Sequence, residues 1–403
     1  MDEVQTPPPR RARLVLVTPD GAVIGSLPPF PVELPWWQEV ESVVRAAREH
    51  RGLEVTILRL LETERERPHG GEATYLAEVA LPVAAEPWPG RLDSHPLRLP
   101  YAEPGGPAAD LAWAKAVLDD RGLAQSAAPQ QVRSWNLSSV WRIPLVGQTA
   151  WLKVVPPFFA HEGEVIAALA EWPVPRLLGH DGGRMLLAEI PGEDMYEAGL
   201  PELTAMVSLL VRMQLALASG VERLLATGMP DWREVGLSAA IADVVRRTGG
   251  ELSRPDIAVL DQFVRTLPTR FAALGACGLP DTLVHGDFHP GNFRGSEREL
   301  TLLDWGDSCL GHPLLDQPAF LDRIPVAHRE AIAAHWSREW SAAIPGSDPA
   351  RAALLLAPVA AARQAMIYRR FLDNIEPSEQ VYHRHDPADW LARTAALLRK
   401  EAG

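Results

Sequence analysis

Residues 283–307 read Leu-Val-His-Gly-Asp-Phe-His-Pro-Gly-Asn-Phe-Arg-Gly-Ser-Glu-Arg-Glu-Leu-Thr-Leu-Leu-Asp-Trp-Gly-Asp. The apolar pair Leu283 and Val284 leads into His285, Gly286 and Asp287, and Pro290-Gly291 turns the chain before Asn292. A short polar loop follows, then the apolar run Leu300, Leu302, Leu303, which ends at Asp304. Folded back as a hairpin, the stretch brings Asp287, Asn292 and Asp304 to one end. Two carboxylates and an amide suit Mg2+, a hard cation that takes oxygen ligands and bridges phosphates.

The spacing narrows the chemistry. A loop Asp, an Asn five residues later and an Asp turn after a strand form the arrangement kinases use for phosphoryl transfer. Asp287 then accepts the acceptor's hydroxyl proton, and Asn292 and Asp304 hold the metal on the nucleotide phosphates. Alone, each residue reads equally as a turn, a cap or a strand end; the joint spacing makes the case.

His285-Gly286-Asp287-Phe288-His289-Pro290-Gly291-Asn292, followed by Leu303-Asp304-Trp305, resembles the aminoglycoside phosphotransferase family of small-molecule kinases. The resemblance covers residues 129–403. It implies an α+β, bilobal protein-kinase-like fold, ATP and Mg2+ as cofactors, and a small-molecule acceptor with a hydroxyl group. It also implies that His285 braces the loop and that Asp316, in Gly-His-Pro-Leu-Leu-Asp, supports it.

Other kinase parts fall in order. Strands are expected at 131–137 and 140–144, joined at Ser138-Ser139, whose small side chains let backbone N–H groups approach phosphate. A third strand, 150–155, carries Lys153. The chain has three lysines, Lys115, Lys153 and Lys400. A lysine in an apolar strand is costly unless paired. In kinases this lysine grips phosphates and pairs with a helix glutamate. Glu162, with Ile166 and Leu169 at +4 and +7, fits better than Glu164; the alternative for Lys153 is an edge-strand gatekeeper. By resemblance, 184–190 is the hinge strand, where the Ala188 carbonyl and Ile190 amide read adenine; a plain buried strand is the other reading. Near the C-terminus the polar stretch 373–386 offers Glu376, Glu379 and Asp386 as partners for acceptor ammonium groups, or is a solvated loop.

Ahead of this lies an α+β N-terminal cap, residues 1–108. Residues 1–12 read as a tail, with strands at 13–18, 22–25, 55–61 and 74–81 and a helix over 36–51 ended by Gly52. Residues 82–108 form a Pro/Gly-rich linker, and 109–128 a linker helix. The kinase-like N-lobe is expected at 129–192 and a helical C-lobe at 193–403. A faint Nudix-like echo at Arg45–Leu53 has Ala46 and His50 where glutamates belong, so the cap reads as a scaffold. It is similar to the cap of actinobacterial sugar and amino-sugar kinases.

Composition excludes some classes. A net charge of −13, from 39 basic and 52 acidic residues, argues against nucleic-acid binding. Two cysteines, Cys277 and Cys309, give no disulfide framework. No signal core is visible, and the Ala/Leu run at 352–362 is short for a membrane span and broken by Pro358. The expectation is a cytoplasmic kinase of an amino sugar or aminoglycoside, without nucleic-acid or membrane partners. A neutral sugar kinase or a catalytically silent, ligand-sequestering protein is the alternative.

Overall fold

The computed structural model describes residues 7–80, 83–296 and 299–402. The chain forms two compact units. One comprises the described residues up to Ala160, Leu177–Glu189 and Phe371–Arg384; the other comprises His161–Arg176, Ile190–Arg370 and the described residues from His385 onward.

The first unit opens with β1 (Arg10–Val17), β2 (Val23–Ser26), β3 (Phe30–Val32), α1 (Glu41–Arg51), β4 (Thr56–Thr63) and β5 (Gly71–Glu78). These strands make a sheet of order β2-β1-β5-β4, with β3 also paired to β1. The tail expected over 1–12 is shorter, because Arg10, Arg11 and Ala12 already pair with β5; residues 1–6 lie outside the described ones. The helix expected from Trp36 starts at Glu41. Tertiary bonds occupy the preceding backbone: Trp37 O accepts from Arg10 Nη1 (3.2 Å) and Tyr75 Oη (3.0 Å). Gly52 ends α1 at φ 66°, donating its N–H to Ala47 O and Arg48 O.

Helix α2 (Gly106–Asp120) precedes β6 (Gln130–Trp135), β7 (Ser138–Leu145), β8 (Gln148–Val154), β9 (Leu177–Asp181) and β10 (Arg184–Ala188). The second sheet runs β6-β7-β8-β10-β9, with Ile143, Leu152 and Leu186 buried against Ala114 and Leu118 of α2. The two sheets are stitched together. The Gln131 side chain donates to Ile57 O (2.7 Å) and accepts from Ile57 N (2.8 Å), acting as a strand partner. The C-terminal segment also enters this unit: Val381 and Tyr382 sit in the same core as Trp37, Val43 and Tyr75.

The second unit holds α3 (Glu162–Ala168), β11 (Glu193–Asp194), α4 (Leu200–Leu217), α5 (Val221–Leu225), α6 (Glu234–Thr248) and α7 (Arg254–Gly275). Then come β12 (Thr282–Val284), β13 (Phe293–Gly295), β14 (Leu300–Leu302), β15 (Cys309–Gly311), α8 (Gln317–Asp322), α9 (Val326–Ala343), α10 (Pro349–Asn374) and α11 (Asp386–Ala402). β13 and β14 pair antiparallel, as the hairpin reading of 283–307 requires, and β12 pairs with β15. Helix α10 passes through Pro358 instead of stopping there. At full length α4 and α10 are long and apolar enough to cross a membrane, which the sequence reading missed. Yet Leu203, Met206, Leu210 and Met213 of α4 are buried, as are Leu356, Val359 and Ala362 of α10, as in core helices.

Candidate active site

The loop after β12 is built from its interior outward. Phe288 is fully buried and stacks on Phe320 (4.9 Å between centroids), with Phe293 and Trp336 edge-on. That anchor leaves Asp287, one residue earlier, about a third exposed. Asp316 accepts from the backbone N–H of His285 (2.9 Å) and Gly286 (2.8 Å), so one buried carboxylate fixes the entry to the loop. Burial pushes its pKa up to about 6 against those two amides.

His285 is fully buried, and burial lowers its pKa to about 4. Its Nε2 donates to Leu303 O (2.8 Å), and its Nδ1 faces the Asp287 amide (3.4 Å). The ring is therefore a neutral brace between Asp287 and the backbone of Leu303, which links β14 to Asp304.

His289 does different work. Its Nδ1 accepts from Gly291 N (3.1 Å), which places the proton on Nε2, 3.3 Å from Asp287 Oδ2. Asn292 Nδ2 donates to Asp287 O (2.8 Å) and Oδ2 (3.2 Å). Both donors thus gather on one side of the carboxylate. Asp287 Oδ1 faces Arg323 Nη1 at 3.6 Å. Burial pushes the Asp287 pKa up, but His289, Arg323 and His285 together outweigh it, and the carboxyl stays well below its usual range. With its nitrogen turned to Asp287, Asn292 presents its amide oxygen as the remaining ligand atom.

Asp304 is exposed and stands at φ 62°, the one left-handed residue other than glycine among those described. Aspartate adopts this left-handed turn conformation more readily than most side chains. Trp305, fully buried, packs edge-on to His285 at 4.6 Å, and its backbone N–H reaches Glu162 Oε1 at 3.2 Å. Glu162 is buried whereas Glu164 is exposed. Glu162 thus ties the start of α3 to the Asp304 turn.

Four residues near Asp287 had no signal in the sequence reading. Asp307, three residues after Asp304, is pushed up to about 7 by burial and by Asp287 and Asp304, with Arg363 and Arg370 opposing. Burial and Asp386 raise the Tyr368 pKa, as does Asp287, while Arg323 lowers it. Asp386 and Asp287 thus both act on Tyr368 through their charge. Arg323 and Arg363 were invisible because arginine is common throughout the chain.

Several expectations need correction. The β6–β7 turn is Asn136-Leu137, not Ser138-Ser139, because Trp135 pairs directly with Ser138. Both serines are buried in β7, and their hydroxyls accept from the Trp135 (3.0 Å) and Trp141 (3.1 Å) indoles. Glu376 and Glu379 do not lie on a solvated loop; both are buried inside the first unit. Glu376 is buried against Arg98 Nη2 (2.9 Å) and Arg59 Nε (3.5 Å). Glu379 accepts from Leu60 N (3.0 Å), and burial pushes its carboxyl up to about 8. The stretch is a structural strap of the first unit. Lys153 lies half-buried in β8, between β7 and β10, so it is not an edge residue. Ala188 closes β10, and Ile190 follows two residues later in the second unit.

Solved structures of other proteins resemble the chain in fold. The choline kinase LicA from Streptococcus pneumoniae superposes with a TM-score of 0.52 at 11% identity, covering 73% of this chain and 99% of the other. A choline/ethanolamine kinase family protein from Mesorhizobium loti gives 0.51 at 19%, covering 72% and 94%. The macrolide 2'-phosphotransferase MphH from Brachybacterium faecium gives 0.49 at 19%, covering 70% and 97%. No curated protein matches significantly by sequence. The fold is α+β and protein-kinase-like, preceded by the N-terminal sheet. The model of the phosphotransferase enzyme family matches residues 130–355, more than half of the chain, and the protein is therefore a member of that kinase-like family of small-molecule phosphotransferases.

Proposed function

We propose that the protein transfers the ATP γ-phosphoryl group to a hydroxyl of a small molecule. The observation that carries this is the Asp287 carboxylate, whose Oδ2 faces Asn292 and His289 while Oδ1 faces the half-exposed Arg323 guanidinium at 3.6 Å. Asp287 is the base: Oδ1 takes the hydroxyl proton once the acceptor displaces Arg323, and the low pKa keeps the group ionised beforehand. Asn292, through its amide oxygen, and Asp304 are the residues to hold Mg2+. Among the described residues no three His, Cys, Asp or Glu side chains gather to hold an ion unaided, and a Mg2+ of this type is completed by phosphate oxygens and water. Bound there, the ion neutralises charge developing on the transferred group. Lys153 and Glu162 take the phosphate-gripping and bracing roles, and the Ala188 carbonyl and Ile190 amide the adenine contacts.

For the acceptor we favour an amine-bearing sugar or an aminoglycoside, which would make this a resistance or amino-sugar enzyme working in the cytoplasm. The acidic net charge and Asp386 beside Tyr368 support a cationic acceptor. A neutral sugar is the second reading, favoured by the loss of Glu376 and Glu379 as ammonium partners. A coupled ADP-release screen over sugars, amino sugars, aminoglycosides and amino alcohols tests both. Turnover on an amine-bearing acceptor is expected; turnover confined to neutral sugars would overturn the preference.

A further inference from the structure

The loop that carries Asp287 and the turn that carries Asp304 are separate in sequence, yet phosphoryl transfer needs both fixed to fractions of an ångström. One side chain reaches both from behind. Arg363, in the middle of α10, is 2% exposed. Its Nη1 lies 3.3 Å from Gly286 O, the carbonyl preceding Asp287, and its Nη2 lies 3.3 Å from Asp307 O, with Cys309 Sγ at 3.5 Å.

A buried guanidinium is costly, and such a charge is usually matched to a carboxylate. Here its hydrogen bonds go to main-chain carbonyls on two loops, while Asp307 and Asp316 act on it only through their charge. The rigid fork of arginine can span two acceptors in this way; the point charge of lysine cannot. A second observation converges on the same spot. A Cβ on Gly286 would lie 2.1 Å from Asp307 O and 2.9 Å from Arg363 Nη2. The missing side chain at 286 thus makes room both for the loops to touch and for the guanidinium to sit across them.

We infer that Arg363 is a positioning residue which clamps the Asp287 loop to the Asp304 turn, so that helix α10 sets the register between base and metal ligands. It touches neither substrate nor metal. The inference rests on the phosphotransfer reading above.

The test uses the full-length chain and three variants, Arg363→Lys, Arg363→Met and Arg363→Ala. Turnover is read as ADP release with water or an active acceptor, Mg2+·ATP affinity by titration calorimetry, and folding by thermal melting. Arg363→Met should lose about 100-fold in kcat with ATP affinity within about twofold of wild type, because Lys153 and the hinge backbone are untouched. Arg363→Lys, able to reach one carbonyl only, should fall between the two. Guanidinium at tens of millimolar should restore part of the Arg363→Ala kcat, whereas equal NaCl should not. A wild-type kcat in Arg363→Lys and Arg363→Met overturns the clamp, as does a folded Arg363→Ala that guanidinium leaves unchanged. If Arg363→Ala and Arg363→Met fail to fold, Arg363→Lys decides alone: the clamp requires lower kcat at unchanged ATP affinity. A wild-type protein that neither binds Mg2+·ATP nor releases ADP would instead sink the phosphotransfer reading, and the clamp with it.

Discussion

Replacing Gly286 with alanine perturbs the site at its tightest point. Gly286 stands at φ 92°, where an L-residue costs about 1–2 kcal/mol. The added Cβ would lie 2.1 Å from Asp307 O and 2.7 Å from Asp307 C, both backbone atoms that cannot swing aside. Relieving the overlap means parting the two loops by about 1 Å, which adds about 1–3 kcal/mol of overpacking. The expected total is about 2–5 kcal/mol of lost stability. Parting the loops by that distance should also cost about 100-fold in turnover. Gly346 supplies the control, since it has φ 90° in the same unit with no atom within 4 Å of its Cβ position. Gly346→Ala should lose only the conformational term and keep full activity. Calorimetric melting and ADP release on both variants make the comparison. If Gly286→Ala matched Gly346→Ala in Tm and in rate, the claim that the two loops are held in contact would be refuted.

Other predictions follow from the same geometry. Asp316→Ala leaves the His285 and Gly286 amides without their acceptor inside the protein and should destabilise by about 2–5 kcal/mol, while Asp316→Asn, with one acceptor oxygen, should lose less; equal melting temperatures for the two variants would contradict this. Asp307 titrates near 7 instead of 3.8. Its raised pKa contributes stability that is fully present below about pH 4 and lost as pH rises through 7. Over the same rise its charge appears beside Asp287 and Asp304, so Mg2+ affinity should strengthen; Asp307→Asn should flatten both trends in melting and calorimetric titrations. Glu376→Gln leaves Arg98 and Arg59 without a buried counter-charge and should destabilise by about 3–5 kcal/mol. It should leave acceptor KM unchanged, and a raised KM in a fully folded variant would instead place Glu376 at the acceptor.

The stretch 283–307 was legible because its signals are local: a turn dipeptide, an apolar run and polar residues at short spacing already place Asp287, Asn292 and Asp304. That Glu162 and not Glu164 lies on the buried side of α3 was legible too, since helical period decides which of them faces inward. What the sequence hid is non-local. Ser138-Ser139 looked like a turn by residue type, but strand register, set by cross-strand pairing with Trp135, put them inside β7. Glu376 and Glu379 sit in a polar run that looks solvated, and only Arg59, Arg98 and Leu60, nearly three hundred residues or more away, turn it into a buried strap. Arg363 carries no mark in an arginine-rich helix until Gly286 and Asp307 are seen against it.

The central claim is that Asp287 handles the proton while Asn292 and Asp304 serve the metal. Calorimetric titration of wild type, Asp287→Asn and Asp304→Asn with Mg2+ and a non-hydrolysable ATP analogue, paired with ADP release from the same preparations, separates the roles. Asp287→Asn should bind Mg2+·nucleotide like wild type and lose about 10²–10⁴-fold in turnover, whereas Asp304→Asn should lose the Mg2+-dependent part of binding. Wild-type turnover in Asp287→Asn, or unchanged Mg2+-dependent binding in Asp304→Asn, would contradict the account.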